Sequence, residues 1–259
     1  MDTDNEWEEW GKTDPYFSVL TNPKFRRQVL TEEAREEFFN SGREDINKVM
    51  AICRQHLDPA FAPRRALDFG CGVGRLVVPL SRLAAQVVGL DVSQSMLAEA
   101  SANCARFGID NVELVKSDDD LSNLRGTFDF IHSVIVLQHI PVDRGQRIFN
   151  NLVARLDPGG IGAIQLTYGK AYHPESDGLP PAPPPPAQPK ARGWGLLKTK
   201  TRSVLTAKIP GADPQMQMNP YNLNRIMFSL QRAGVSSLFQ EFTDHGGELG
   251  VFLYFRKDL

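Results

Sequence analysis

Arg65-Ala66-Leu67-Asp68-Phe69-Gly70-Cys71-Gly72-Val73-Gly74-Arg75 decides the fold. The first five residues read as a short strand, and a helix is expected over Gly74–Leu83. Three glycines stand between them, the strand-to-helix setting that a nucleotide-binding loop requires. Gly70 and Gly72 allow close backbone approach, and Gly74 lets the helix pack near the strand. A glycine trio is equally compatible with a tight turn that binds nothing.

Outward from the loop, short apolar runs alternate with amphipathic stretches. Strands are predicted at Gln86–Asp91, Val112–Val115, Phe128–Ser133 and Ile161–Leu166, the last entered through Pro158-Gly159-Gly160. Helices are predicted from Ser93 or Ser95 through Phe107 and over Arg144–Leu156. Met96, Leu97, Ala100 and Cys104 form the buried side of the first. Crossover helices of this length imply a mainly parallel sheet. Before the loop, Glu32–Leu57 reads as a long helix capped by Thr31, with Ser41-Gly42 a potential break. After it, periodicity fails over about 169–218, where Pro180–Pro189 reads PPAPPPPAQP and favours polyproline II. A helix over Pro220–Ala233 and two strands, Val235–Phe242 and Leu249–Phe255, close the pattern, joined by the turn signal Asp244-His245-Gly246-Gly247.

Asp91 strengthens the functional reading of the loop. It ends the second strand 17 positions after Gly74, where a carboxylate can reach a ribose diol. Its other reading is a cap for the helix that follows Val92-Ser93. Spacing then separates candidate ligands. Dinucleotide loops run G-x-G-x-x-G, whereas here Arg75 fills the place of the third glycine. Asp68, just before the loop, is awkward beside a pyrophosphate but suits an ammonium or sulfonium. The loop therefore favours a cofactor without phosphates over NAD.

ALDFGCGVGRL resembles motif I of the class I S-adenosylmethionine-dependent methyltransferases, and GLDVS (Gly89–Ser93) resembles their second motif. VKSDDDL (Val115–Leu121), GTFDFIHSVIVLQHI (Gly126–Ile140) and RLDPGGIGAI (Arg155–Ile164) follow in the family's order. The resemblance covers roughly residues 64–168. It implies an α/β Rossmann-like three-layer sandwich whose seven-stranded, mostly parallel sheet has an antiparallel last strand. It also implies S-adenosyl-L-methionine as cofactor. Asp68 would lie near its methionine end and Asp91 on both ribose hydroxyls. Asp118, with Asp119 as alternate, would meet the adenine amino group. Gly70, Cys71, Gly72, Gly74, Val92, Met96, Val134 and Ile135 would complete the cofactor site. Residues 1–63 are expected to form a helical cap on a catalytic domain at 64–259 that carries the proline-rich insertion.

A sulfonium carries an activated methyl group, so the protein's task is alignment and exclusion of water. An oxygen acceptor also needs a base. His139, beyond the fourth strand, is the first candidate, although it can equally cap the turn into Pro141. His132 ranks below it, and Tyr168 and Tyr221 are further candidates at the ligand-binding edge. Trp7, Trp10, Tyr16 and Phe17, in an acidic arm, would close over the cofactor or pin the arm to the body.

Composition narrows the setting. The chain has 259 residues, 41% hydrophobic and 23% charged, with formal net charge −2, so nucleic acid is disfavoured as a partner and a small molecule favoured. Lys190–Lys208 holds six Lys or Arg and no acid. With Trp194 and Leu196 among them, that stretch would receive an anionic substrate or touch a membrane surface, or is a solvated loop. No metal site is suggested. Three widely spaced cysteines, an acidic N-terminus and no long apolar run point to a cytoplasmic protein. The rival readings are a cofactor-binding protein without catalysis, an RNA methyltransferase and an NAD-dependent oxidoreductase.

Overall fold

A computed structural model describes residues 3–180 and 213–259. In chain order the elements are α1 (Thr3–Thr13), α2 (Pro15–Val19), α3 (Glu32–His56), β1 (Arg65–Phe69), α4 (Val77–Leu80), β2 (Gln86–Asp91), α5 (Gln94–Arg106), β3 (Val112–Lys116), β4 (Phe128–Ser133), α6 (Val142–Ala154), β5 (Leu156–Lys170), α7 (Leu223–Arg232), β6 (Leu238–His245) and β7 (Glu248–Arg256). The sheet order is β3-β2-β1-β4-β5-β7-β6. β7 runs antiparallel to both its neighbours, while β1 to β5 pair in parallel. This is the expected Rossmann-like α/β sandwich.

Alternation along the strands divides the core. Leu67 and Phe69 of β1, Val88 and Leu90 of β2 and Ile131 of β4 face α6 and α7 in one cluster. Ala66, Val87 and Phe130, one residue out of step, face α3, α4 and α5 in another. The period of two thus gives both faces an apolar layer, as a sheet covered on both sides requires.

Several elements differ from expectation. α3 runs unbroken through Ser41-Gly42. A Cβ at Gly42 would lie 2.3 Å from the Arg75 carbonyl oxygen, so this glycine marks a close crossing rather than a break. The regular helix after the loop shrinks to Val77–Leu80, because Pro79 has no N–H to return to the preceding turn. β5 begins at Leu156, not Ile161, and Gly159 with φ 75° lets the chain enter it through an irregular register against β4. Within residues 3–63, α3 shares its core with the sheet. Of these segments, α1 and α2 reach the strand tips, where Thr3, Asp4, Trp7, Ser18 and Val19 line the cavity. The proline run beyond Pro180 and the basic stretch Lys190–Lys208 lie outside the described residues. Among those described, no helix is long and apolar enough to cross a membrane.

Candidate functional site

The C-terminal tips of β1, β2, β3 and β4 meet beneath α1 and α2 around a cavity of about 1030 Å³ that includes its open mouth. The glycine loop forms its floor. Gly70, Gly72 and Gly74 have φ of 77°, 52° and 86°, values that a side chain would strain. The Gly70 and Cys71 amides donate to the Leu90 carbonyl, each at 2.8 Å, which bends the chain off β1. A Cβ on Gly70 would reach within 2.3 Å of Val136, and one on Gly72 within 2.9 Å of Val19. Close approach is thus used on both sides of the loop.

Ser93, not Asp91, caps α5, its hydroxyl accepting from the Met96 amide at 3.1 Å, and Asp91 braces the loop while lining the cavity. Its Oδ1 accepts from the Ser93 amide and its Oδ2 from the Gly72 amide, both at 2.9 Å. Each oxygen keeps a second lone pair for a ligand hydroxyl. Burial pushes its carboxyl up to about 6, against the opposing pull of the Ser93 and Gly72 amides. Asp68 is also buried, and its Oδ1 lies 2.9 Å from His132 Nδ1. His132 does not line the cavity; it supports Asp68 from behind, among Phe130 and Phe252.

At the other end, Asp118 accepts from the Asp120 amide at 3.0 Å and the Ser122 amide at 2.9 Å, and from the Ser122 hydroxyl, folding its own loop. Asp119 binds Arg144 Nε at 2.9 Å and Nη2 at 2.7 Å, and Arg147 at 2.7 Å. Arg144 Nη2 also meets Asp4 of α1 at 3.0 Å. The guanidinium hydrogen bonds of Arg144 hold Asp119 below the usual carboxylate range.

The α1 helix is seated by a second acid. Glu8 accepts from the Ser93 and Ser95 hydroxyls, each at 2.8 Å, and from the Ser95 amide at 3.2 Å. Partial burial raises its carboxyl, but these donors win and bring it to about 2. Gly11 lies flat on the same helix start, where a Cβ would come within 2.6 Å of Ser93 Oγ.

His139 closes the cavity near Trp7, with ring centroids 5.1 Å apart. Its Nδ1 is 2.7 Å from the Gln217 carbonyl oxygen. A carbonyl only accepts, so Nδ1 carries the proton and Nε2 keeps the lone pair. Gln138 Nε2 lies 3.4 Å from that Nε2. Burial lowers the His139 imidazole below its ordinary value, with the Gln217 hydrogen bond opposing. Ile135, a β-branched residue at φ 56°, is held in this strained conformation by Gln165, whose Oε1 accepts from its amide at 3.1 Å.

Asp68, Gly70, Cys71, Gly72, Asp91, Val92, Met96, Asp118, Asp119, Val134, Ile135 and His139 therefore line one cavity. Gly74, His132, Tyr168 and Tyr221 do not. Gly74 serves the turn, with Ala100 the nearest neighbour to a Cβ built there. Tyr168 is half-buried against Phe242, ring centroids 6.4 Å apart. Tyr221 is core: 1% exposed, its hydroxyl is shared between the Leu137 and Ile140 carbonyls at 2.8 and 2.9 Å. Sequence reasoning missed Thr3, Asp4, Ser18, Val19, Arg75 and Arg144 as lining residues. Arg75 stood next to the glycine loop, but no local signal pointed to the others.

The model of a methyltransferase domain matches residues 66–160. A ubiquinone biosynthesis O-methyltransferase of Nitrobacter winogradskyi is 33% identical over 159 residues, 61% of this chain and 53% of that protein. A magnesium-protoporphyrin O-methyltransferase of Synechocystis is 31% identical over 90 residues, 35% of this chain and 39% of that one. Over that segment the chain is similar to S-adenosylmethionine-dependent methyltransferases. It spans about half or less of the length of the curated relatives it matches. Two solved methyltransferases share the fold. Magnesium protoporphyrin IX methyltransferase of Synechocystis PCC 6803, with bound S-adenosylmethionine, has TM-score 0.58 at 16% identity, covering 100% of this chain and 98% of that one. The N-methyltransferase NodS of Bradyrhizobium japonicum WM9, with S-adenosyl-L-homocysteine, has TM-score 0.57 at 14% identity, covering 99% of both chains.

Proposed function

We propose that this chain is a class I S-adenosylmethionine-dependent methyltransferase that transfers the methyl group to an oxygen or nitrogen of a small molecule. The observation that carries the proposal is the convergence of the loop, the acids and His139 around one cavity. Its chemistry suits the cofactor: backbone laid bare by Gly70 and Gly72, carboxylates at successive strand tips, and few cations to repel a sulfonium. When bound, the cofactor supplies a methyl group already activated by positive sulfur. Asp91 would accept from the ribose hydroxyls with its remaining lone pairs. Asp68 would face the ammonium, its carboxylate oriented by His132. Asp118 or Asp119 would meet the adenine edge. α1 and α2 would exclude water, which strengthens every charge interaction inside. His139 Nε2 would take the acceptor's proton while its Nδ1–H stays on Gln217.

In this reading residues 1–63 supply the cap, with α1 and α2 as its working part, to a catalytic body completed by 64–259. The insertion around 169–218 would choose the substrate, favouring an anionic one through Lys190–Lys208. Three free, buried thiols suit a cytoplasmic setting. Calorimetry with S-adenosylmethionine, S-adenosylhomocysteine and NAD tests the cofactor. Tight binding of the first two and none of NAD is expected, and the reverse overturns the proposal. Methyl acceptance is tested by S-adenosylhomocysteine release in the presence of fractionated metabolites. Binding without release in any fraction leaves the reading of a non-catalytic cofactor-binding protein.

A further inference from the structure

Residues 213–221 lead toward α7 without helix or strand, so their backbone groups must find partners elsewhere. They find them on two bodies. On the cap side, Arg26 rests on Phe17 of α2, 3.4 Å from the ring centroid. Its Nη1 and Nη2 donate to the two oxygens of Asp213 at 2.8 and 2.5 Å. The Gln215 amide donates to Glu6 of α1 at 3.0 Å, and Met216 packs against the cluster of Trp10, Tyr16 and Phe38. On the sheet side, the Asn219 amide donates to the Gln138 carbonyl at 2.7 Å, and the Tyr221 amide to the Thr167 carbonyl of β5 at 2.8 Å. The Thr167 hydroxyl returns a bond to the Asn219 carbonyl at 2.8 Å.

Gln217 stands at the changeover between these two sets, and its carbonyl is the one that accepts from His139 Nδ1. His139 also meets the cap directly, since its own carbonyl accepts from the Thr3 hydroxyl at 3.0 Å. A neutral imidazole has one proton for two nitrogens, and a fixed acceptor at one of them decides which carries it. That acceptor is here a carbonyl whose place depends on ties to the cap, two residues away at Gln215 and four at Asp213.

Resting on the proposed role of His139, we infer that residues 213–221 are a strap that readies the base when the cap is seated. Glu6 and Arg26 on the cap, with Asp213 and Gln217 on the strap, are positioning residues; none of the four lines the cavity. With the cap seated, the Gln217 carbonyl keeps the proton on Nδ1 and the lone pair on Nε2. With the ties released, that carbonyl is drawn off, and the proton is free to settle on Nε2, where the ring cannot accept another. An open site thus lacks a competent base.

Nitrogen NMR of isotope-labelled imidazoles in the intact chain reads the tautomer directly. It is recorded at about pH 8, where an ordinary histidine is neutral, with His139 assigned by its absence from His139→Gln. Wild type should carry the proton on Nδ1. Glu6→Ala with Asp213→Ala removes both polar ties to the cap. In that double variant a substantial share of the proton should move to Nε2. Its kcat should fall about 10-fold, with S-adenosylhomocysteine affinity within about twofold of wild type. Asp213→Ala alone, at an exposed side chain, should move both readings the same way by less, in a protein whose core is untouched. A wild-type proton on Nε2 would overturn the inference without any variant. So would an unchanged tautomer in both variants, or losses of kcat and S-adenosylhomocysteine affinity that match, which mark a merely architectural strap. A tautomer that shifts as expected in a protein that methylates nothing would instead sink the proposed function, and the role of base with it, while leaving the strap's grip on the ring in place.

Discussion

Asp91 carries two duties on four lone pairs, and its acidity exposes the tension between them. Burial lifts its carboxyl from 3.8 to about 6. The folded value thus lies above the free one, so folding alone favours the protonated acid between those limits and resists its ionisation. A diol that donates two hydrogen bonds favours the ionised form instead. S-adenosylhomocysteine affinity should therefore fall as pH drops below about 6, with proton release on binding there, read from calorimetry in buffers of different ionisation enthalpy. Asp91→Asn should bind about 10- to 100-fold more weakly and lose this proton release. His139 moves the other way. Burial lowers its imidazole, so the base form persists to more acidic pH than for a free histidine, and the acid limb of kcat should lie below about 6.5. His139→Gln keeps a donor toward Gln217 but removes the base. We expect kcat to drop by about 10²- to 10⁴-fold, with S-adenosylhomocysteine binding nearly intact. An equal loss in binding would reassign His139 to the lid contact with Trp7. Asp68, Asp91 and His139 were legible because each stands at or beyond a strand tip that the alternating pattern located. Tyr168 and Tyr221 were not, since sequence places a residue near an edge without saying which way its ring turns.

Helix α1 shows how much lies beyond local pattern. Its docking on the start of α5 joins residues more than eighty positions apart through Glu8, Ser93 and Ser95. No periodicity within either helix announces that pairing. A carboxylate at a helix start satisfies otherwise unpaired amides and meets the positive end of the helix dipole. Glu8→Ala should cost about 1 kcal/mol and raise amide exchange over Thr3–Thr13 more than in the sheet; unchanged exchange there would separate Glu8 from lid seating. Because its carboxyl pKa is lowered from 4.5 to about 2, the Glu8 contribution is present above the free value and lost as pH falls toward the folded one. The opposite lesson comes from α4. Pro79 was visible in the sequence, and its missing N–H accounts for the shortened helix after the loop.

Across the described residues, three buried clusters divide the labour. Two sandwich the sheet, and the third joins α1, α2 and the start of α3 to Val73, Val78 and Met96 at the cavity edge. Phe38 is its hub, completely buried, with Tyr16, Phe25 and Phe39 edge-on at 5.1 to 5.3 Å. Phe38→Ala should cost about 3–5 kcal/mol, chiefly at the cap. The rise in melting temperature produced by S-adenosylhomocysteine should shrink accordingly, because a loosened cap must be ordered when ligand binds. A ligand-induced rise equal to wild type would uncouple cap from cavity. The sheet was largely legible, since five parallel strands and a closing hairpin each carried their own signal. The cap's seat was not, because it is fixed by contacts between distant segments.

The strand order also bears on how the chain is assembled. β7, last of the seven in sequence, occupies an interior position between β5 and β6. During synthesis β6 has no neighbour to pair with until Glu248–Arg256 has left the ribosome, and the β5 rim stays bare meanwhile. Late insertion of an inner strand across so long a separation is intrinsically slow. The nascent protein therefore passes through a stage with an open, sticky sheet edge, which makes its production more sensitive to chaperone supply than its finished architecture suggests.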